Sequence, residues 1–134
     1  MGADLQETAA AVSTPATHLE EPVDRAYLAR FTLGNMALER EILELFAGQL
    51  PAYVEQLRTA AGDKEWKLAA HTIKGSALVV GARRLAELAQ IAERLDADAH
   101  STISDRVRRE ASDAVAAASD EACHHIAQLF ARAG

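Results

Sequence analysis

From residue 23 onward the apolar side chains recur every three or four positions, with charged and polar residues between them. That spacing belongs to amphipathic helices and not to strands. Asp24 is placed to cap a short first helix carrying Leu28 and Phe31, which Gly34-Asn35 ends. From about Met36 to Ala61, helical spacing is kept by Leu38, Ile42, Leu45, Phe46, Leu50 beside Gln49, Tyr53, Leu57 and Ala60. Pro51 falls inside this run, where proline costs about 3 kcal/mol or kinks the helix, so two shorter helices also fit the pattern.

Gly62-Asp63 supplies a turn and an N-cap, and a third helix follows from about Lys64 to Val80, stopped by Gly81. A fourth is predicted from about Ala82 to Asp96, burying Leu85, Leu88, Ala89, Ala92 and Leu95. After a polar loop, Ser104 is placed to cap a last helix reaching about Arg132, with Val107, Ala111, Ala114, Ala118, Ala122, Ile126 and Leu129 inward. Four long amphipathic helices with short connections predict an all-α chain, an antiparallel up-down four-helix bundle with a short extra N-terminal helix. Residues 1–21 contain Pro15 and little apolar periodicity and read as a flexible tail, leaving residues 22–134 as one domain.

Composition supports the helical class. Hydrophobic residues make up 49% of the 134 residues, enough for one core, and aromatics only 4%. The net charge of −6 argues against a nucleic acid or an anionic membrane as the main partner. Charge is uneven, however: between Arg58 and Arg84 six basic residues face only Asp63 and Glu65, a net +4 that suggests a local anionic ligand or partner. Cys123 is the only cysteine, so neither an intrachain disulfide nor a cysteine-based zinc site can form. With no leader pattern and no apolar run of about 20 residues, the expected location is the cytoplasm.

The third helix carries the candidate chemistry. At about 100° per residue, Trp66, Ala69, Ile73, Ala77 and Val80 form its core stripe, while Lys67, His71, Lys74, Gly75 and Leu78 lie opposite. A neutral exposed imidazole is a nucleophile, a base, a metal ligand or a plain surface residue, and alone His71 favours the last. Its neighbours change the weighing. Lys74 sets an ammonium one turn away, suited to a phosphoryl group. Gly75 costs about 0.5–1 kcal/mol relative to alanine in mid-helix and leaves bare surface for a close approach, although helix packing would also account for it. Leu78 is apolar on a polar face, which suits docking as well as chance.

Other classes fit less well. Di-iron bundles use two Glu-x-x-His motifs, and only Glu121-x-x-His124 matches here, so no metal site is expected and His124 and His125 read as ordinary helix residues. Neither a P-loop nor a kinase glycine-rich loop is present, so no ATP-dependent kinase activity of its own is expected. A non-phosphorylated helical adaptor that binds signalling proteins is the alternative reading.

The run Ala70-His71-Thr72-Ile73-Lys74-Gly75-Ser76-Ala77, followed by Gly81-Ala82, Leu85, Leu88, Ala92 and Glu93, closely resembles the signature of histidine-containing phosphotransfer (HPt) domains. Phe31 to Asn35, Glu41 to Phe46 and Trp66 are similar to bacterial members, so the resemblance spans about residues 23–95. It implies a stoichiometric phosphocarrier of a phosphorelay. His71 would accept a phosphoryl group at Nε2 from a receiver aspartyl phosphate and pass it to a response-regulator aspartate. Lys74 would hold phosphoryl oxygens, and Glu93 would hydrogen-bond the other ring nitrogen, although a surface pairing with Lys or Arg accounts for Glu93 equally well. Lys67, Gly75 and Leu78 would form the docking face. The implied partners are receiver domains of a hybrid histidine kinase or a response regulator. The receiver would bring Mg²⁺, the chain needing no cofactor of its own, and the expected state is a monomer. Gln90, where relatives often carry a charge, and the apolar Leu78-Val79-Val80 depart from the pattern and bear on partner choice.

Overall fold

The computed structural model describes residues 21–95 and 102–133, and all regular structure among them is helical. The helices are α1 (Arg25–Thr32), α2 (Met36–Arg58), α3 (Asp63–Val79), α4 (Arg83–Glu93) and α5 (Thr102–Ala133). The expected tail, apart from Glu21, and the polar loop with Asp96 lie outside the described residues.

Local chemistry explains the boundaries. The Asp24 side chain accepts from the Tyr27 backbone N–H at 3.0 Å and starts α1, and Leu33 and Gly34, both with positive φ, end it. Asn35 caps α2 in the same way, accepting from the Leu38 N–H at 3.0 Å. At α3 the cap position is Gly62, without a side-chain bond, so Asp63 is the first helical residue, where its carboxylate faces the positive helix end. Helix α5 begins at Thr102, ahead of the expected cap at Ser104, with Asp105 in its first turn.

Pro51 does not split α2, which stays helical through it. Proline lacks the N–H that the Ala47 carbonyl would normally accept. The Cys123 thiol of α5 takes that place, with Sγ 3.6 Å from the Ala47 oxygen. Burial pushes the Cys123 pKa up, aided by the Asp120 charge, and this keeps the S–H available as a donor.

Helix α2 packs on α3 and α5, α4 packs on the same two, and α1 leans on α2, so the four longer helices close a ring around one core. Leu43, Phe46, Leu50, Val54 and Leu57 of α2 meet Trp66 and Ile73 of α3, Val80 just past its end, and Val115, Ala122 and Ile126 of α5 in that core. The expected stripe on α2 is therefore rotated: Leu38 and Leu45 are exposed, and Leu43 and Val54 replace them inside. Phe31 and Val107 are exposed as well. Buried alanines 69, 70, 77, 86, 89 and 92 line α3 and α4, the most extensive helix pair, and their small side chains allow close approach.

Three long-range contacts fix the frame. The Trp66 indole N–H donates to the Ala92 carbonyl at 2.7 Å, joining α3 to α4. Arg108 lies 5.0 Å over the Trp66 ring and reaches Asp63 at 3.3 Å, joining α5 to α3. Asp24 pairs with Arg83 at 2.8 Å, and its N–H donates to the Val80 carbonyl, tying α1 to the α3–α4 turn. Gly81 in that turn has φ +71°, and a Cβ there would sit 2.7 Å from the Asp24 Cβ, so both backbone conformation and space demand glycine.

Candidate functional site

His71 stands at mid-length on the outer face of α3, with its side chain 63% exposed. The core stripe of Trp66, Ala69, Ile73, Ala77 and Val80 is buried to the last residue, so the ring faces outward because its own helix is anchored on the opposite side. The Trp66–Ala92 bond sets the end of α4 beside this face. There Glu93 Oε2 lies 3.1 Å from His71 Nδ1, and Glu93 Oε1 lies 2.9 Å from Lys74 Nζ.

One carboxylate therefore bridges the imidazole and the ammonium. A carboxylate only accepts, so the neutral ring carries its proton on Nδ1 and keeps a lone pair on the outward Nε2. The Lys74 ammonium, and secondarily the His71 ring, holds the Glu93 carboxyl below the ordinary range against the upward push of partial burial. Helical spacing alone sets Lys74 beside the imidazole, but in the resting structure its ammonium is bonded to Glu93.

The remaining site residues fall on the same face. Gly75 is exposed and a Cβ there would meet nothing within 4 Å, so the glycine serves no packing contact. Leu78 is 50% exposed and Lys67 is half-buried. Sequence reasoning missed Leu68 and Ile91, while Val79 belongs to the apolar Leu78-Val79-Val80 run already noted for partner choice; all three are more than half exposed. Leu68 and Val79 lie within about 80° of His71 around α3, whereas Ile91, two residues before Glu93, points to the far side of α4. Their signal was apolar character off the core stripe, which suits a protein partner. His71 lines none of three clefts of about 400 Å³, at Leu57, Trp66 and Arg108, at Met36, Glu39 and Phe130, and at Gln56, Thr59 and Leu68. The imidazole thus stands on an open surface, a geometry that suits a macromolecular partner better than an enclosed small molecule.

A family model described as the Hpt domain matches residues 41–133, more than half of the chain. The chain belongs to the Hpt domain family. Hpt domains act in phosphotransfer within phosphorelays, and their partners in general are receiver domains. The matched span of this Hpt domain runs from the second turn of α2 into α5 and includes His71, Lys74, Gly75 and Glu93, while α1 precedes it. No curated protein and no solved structure gave a significant match. Among the described residues no group of three or more His, Cys, Asp or Glu side chains is arranged to hold a metal ion, and no helix is long and apolar enough to cross a membrane.

Proposed function

We propose that this Hpt domain is a phosphocarrier that takes a phosphoryl group on His71 Nε2 from a receiver aspartyl phosphate and gives it to a response-regulator aspartate. The observation that carries the reading is the Nδ1–Glu93 bond, which orients the ring and leaves Nε2 unprotonated and outward. In the accepting step Nε2 attacks phosphorus in line, the P–O bond to the aspartate breaks, and the freed carboxylate takes the bonding pair. Delivery is the reverse at a second aspartate.

Positioning and charge neutralisation do most of such work. Lys74 neutralises phosphoryl charge, Gly75 leaves clearance for the receiver backbone, and Lys67, Leu78 and the exposed Leu68 and Val79 form the docking rim. The receiver supplies Mg²⁺. We further read the helices as an antiparallel up-down four-helix bundle with α1 as an addition, residues 22–134 as one domain, and the protein as a cytoplasmic monomer. The short connections at residues 59–62 and 80–82 support alternating helix directions.

The test is incubation with a phosphorylated receiver domain. Transfer of acid-labile, base-stable phosphate to the chain is expected, whereas stable binding without transfer would favour a helical adaptor instead.

A further inference from the structure

Three arginines line one cleft of about 400 Å³, and none of them has a part in the His71 site. Arg58 comes from the last turn of α2, and Arg108 and Arg109 come from the N-terminal part of α5, with Trp66 of α3 between them. We propose that this cleft binds a phosphate dianion, free or as the monoester of a small metabolite, between Arg58 and Arg109, with Arg108 at its floor.

Charge is the first argument. The chain carries −6 overall, and its basic excess between Arg58 and Arg84 begins at this cleft. The phosphocarrier reading uses Lys67 and Lys74 of that run and leaves Arg58 without a role. Asp105 and Asp113 also line the cleft, so the three guanidinium groups leave it one positive charge in excess. The two aspartates do not close the site. Asp113 reaches Arg58 only at 4.0 Å, the outer limit of an ion pair, with both side chains about half exposed, and such a pair is weak. Arg109 is exposed and makes no ion pair within 4.0 Å among the described residues. A dianion offers several oxygens to two planar forks at once and replaces that loose pairing with bidentate, charge-assisted hydrogen bonds.

Arg108 supplies an independent argument. Its guanidinium lies 5.0 Å over the Trp66 ring, and one arm reaches Asp63 at 3.3 Å. Its Nε is buried without a hydrogen-bond partner, and among the described residues no other buried side-chain nitrogen or oxygen is left so. A buried, unpaired N–H is unfavourable, and an acceptor in the cleft, met by a small rotation of the guanidinium, relieves it. Leu57, Ala60 and Trp66 give the cleft an apolar wall against which the body of an ester can rest, and its volume lies within the range of small-molecule sites.

Trp66 is the only tryptophan of the chain, so its fluorescence reports on the guanidinium above it. The full chain is titrated with inorganic phosphate and with ribose 5-phosphate, against ribose and against chloride at matched ionic strength, and backbone amide NMR shifts locate the binding. Both phosphates should give a saturable response that ribose and chloride do not, with amide shifts centred on Arg58, Arg108 and Arg109. Tighter binding of ribose 5-phosphate than of phosphate assigns the cleft to a monoester, and equal or weaker binding assigns it to the free ion. Arg58→Gln and Arg109→Gln should keep the melting temperature, weaken binding by about tenfold each, and leave receiver-to-His71 transfer unchanged. The proposal is overturned by a response that chloride reproduces, by the lack of any saturable response in fluorescence and amide shifts alike, by binding that both arginine variants retain in full, or by amide shifts centred on His71 and Lys74. Each of those results leaves the phosphocarrier reading standing, since that reading is tested by transfer to His71 and not by binding at this cleft.

Discussion

The indole N–H of Trp66 donates to the carbonyl of Ala92 across 2.7 Å of buried space, and this bond decides where Glu93 stands. Trp66 is five residues ahead of His71 on α3, and Ala92 immediately precedes Glu93 on α4. A core contact thereby fixes the geometry of a surface site. Trp66→Phe removes the donor and the larger ring beneath Arg108, and is expected to cost about 1–3 kcal/mol. Denaturant unfolding measures the loss. The His71–Glu93 bond should loosen with it, read from the imidazole NMR resonances.

The two glycines of the α3 region should respond oppositely. Gly81→Ala forces a left-handed alanine, costing about 1–2 kcal/mol before the collision with Asp24 is added, and should melt well below wild type. Gly75→Ala, in open helical surface, should hold or raise stability by up to about 1 kcal/mol. Gly75→Gln should keep the fold and block receiver-to-His71 transfer. Normal transfer by that variant would remove Gly75 from the docking face.

Cys123 is expected to matter through Pro51. Cys123→Ala leaves the Ala47 carbonyl without its thiol partner and should cost about 1 kcal/mol. In a Pro51→Ala background the residue at 51 regains an N–H for that carbonyl, so the same cysteine change should cost less. A double-mutant cycle of thermal melts checks the coupling, and strict additivity would contradict it.

Acid should weaken the link between α1 and the α3–α4 turn. The Tyr27 backbone N–H, and then the Arg83 guanidinium, hold the Asp24 carboxyl below its ordinary range against the push of partial burial. Because folding lowers this pKa, the stability it contributes is complete above the unfolded value of about 4 and is lost as pH falls through the lower folded value. The melting difference between wild type and Asp24→Asn, which retains a cap but loses the charge, should therefore be present at neutral pH and shrink below about pH 4.

Much of this was legible in the chain. The α3 stripe from Trp66 to Val80 was readable because its apolar positions form one arc, and the stops at Gly34 and Gly81 because a glycine just past an apolar-periodic run supplies the positive φ that ends a helix. Helix α2 was harder: it carries two apolar arcs about 100° apart, Leu38–Ile42–Leu45 and Leu43–Phe46–Leu50, and only packing against α3 and α5 selects the second. Pairs such as Arg25–Glu39, Asp24–Arg83 and Trp66–Ala92 bring together residues far apart in sequence, so no local pattern announces them. At the site, His71 and its neighbours on α3 were visible from periodicity and from the family resemblance. The sharing of Glu93 between His71 and Lys74 was not, because it depends on the register of α4 against α3.

The most direct test is to locate the phosphate. Wild type and His71→Gln are each incubated with a phosphorylated receiver domain, and the modified residue is mapped by mass spectrometry under alkaline conditions that preserve phosphohistidine. Wild type should carry phosphate on His71 alone, and His71→Gln should fold with an unchanged melting temperature and carry none, because the ring is exposed and outside the core. Phosphate on His124 or His125, or undiminished labelling of His71→Gln, would contradict the assignment of His71 as the phosphoryl acceptor.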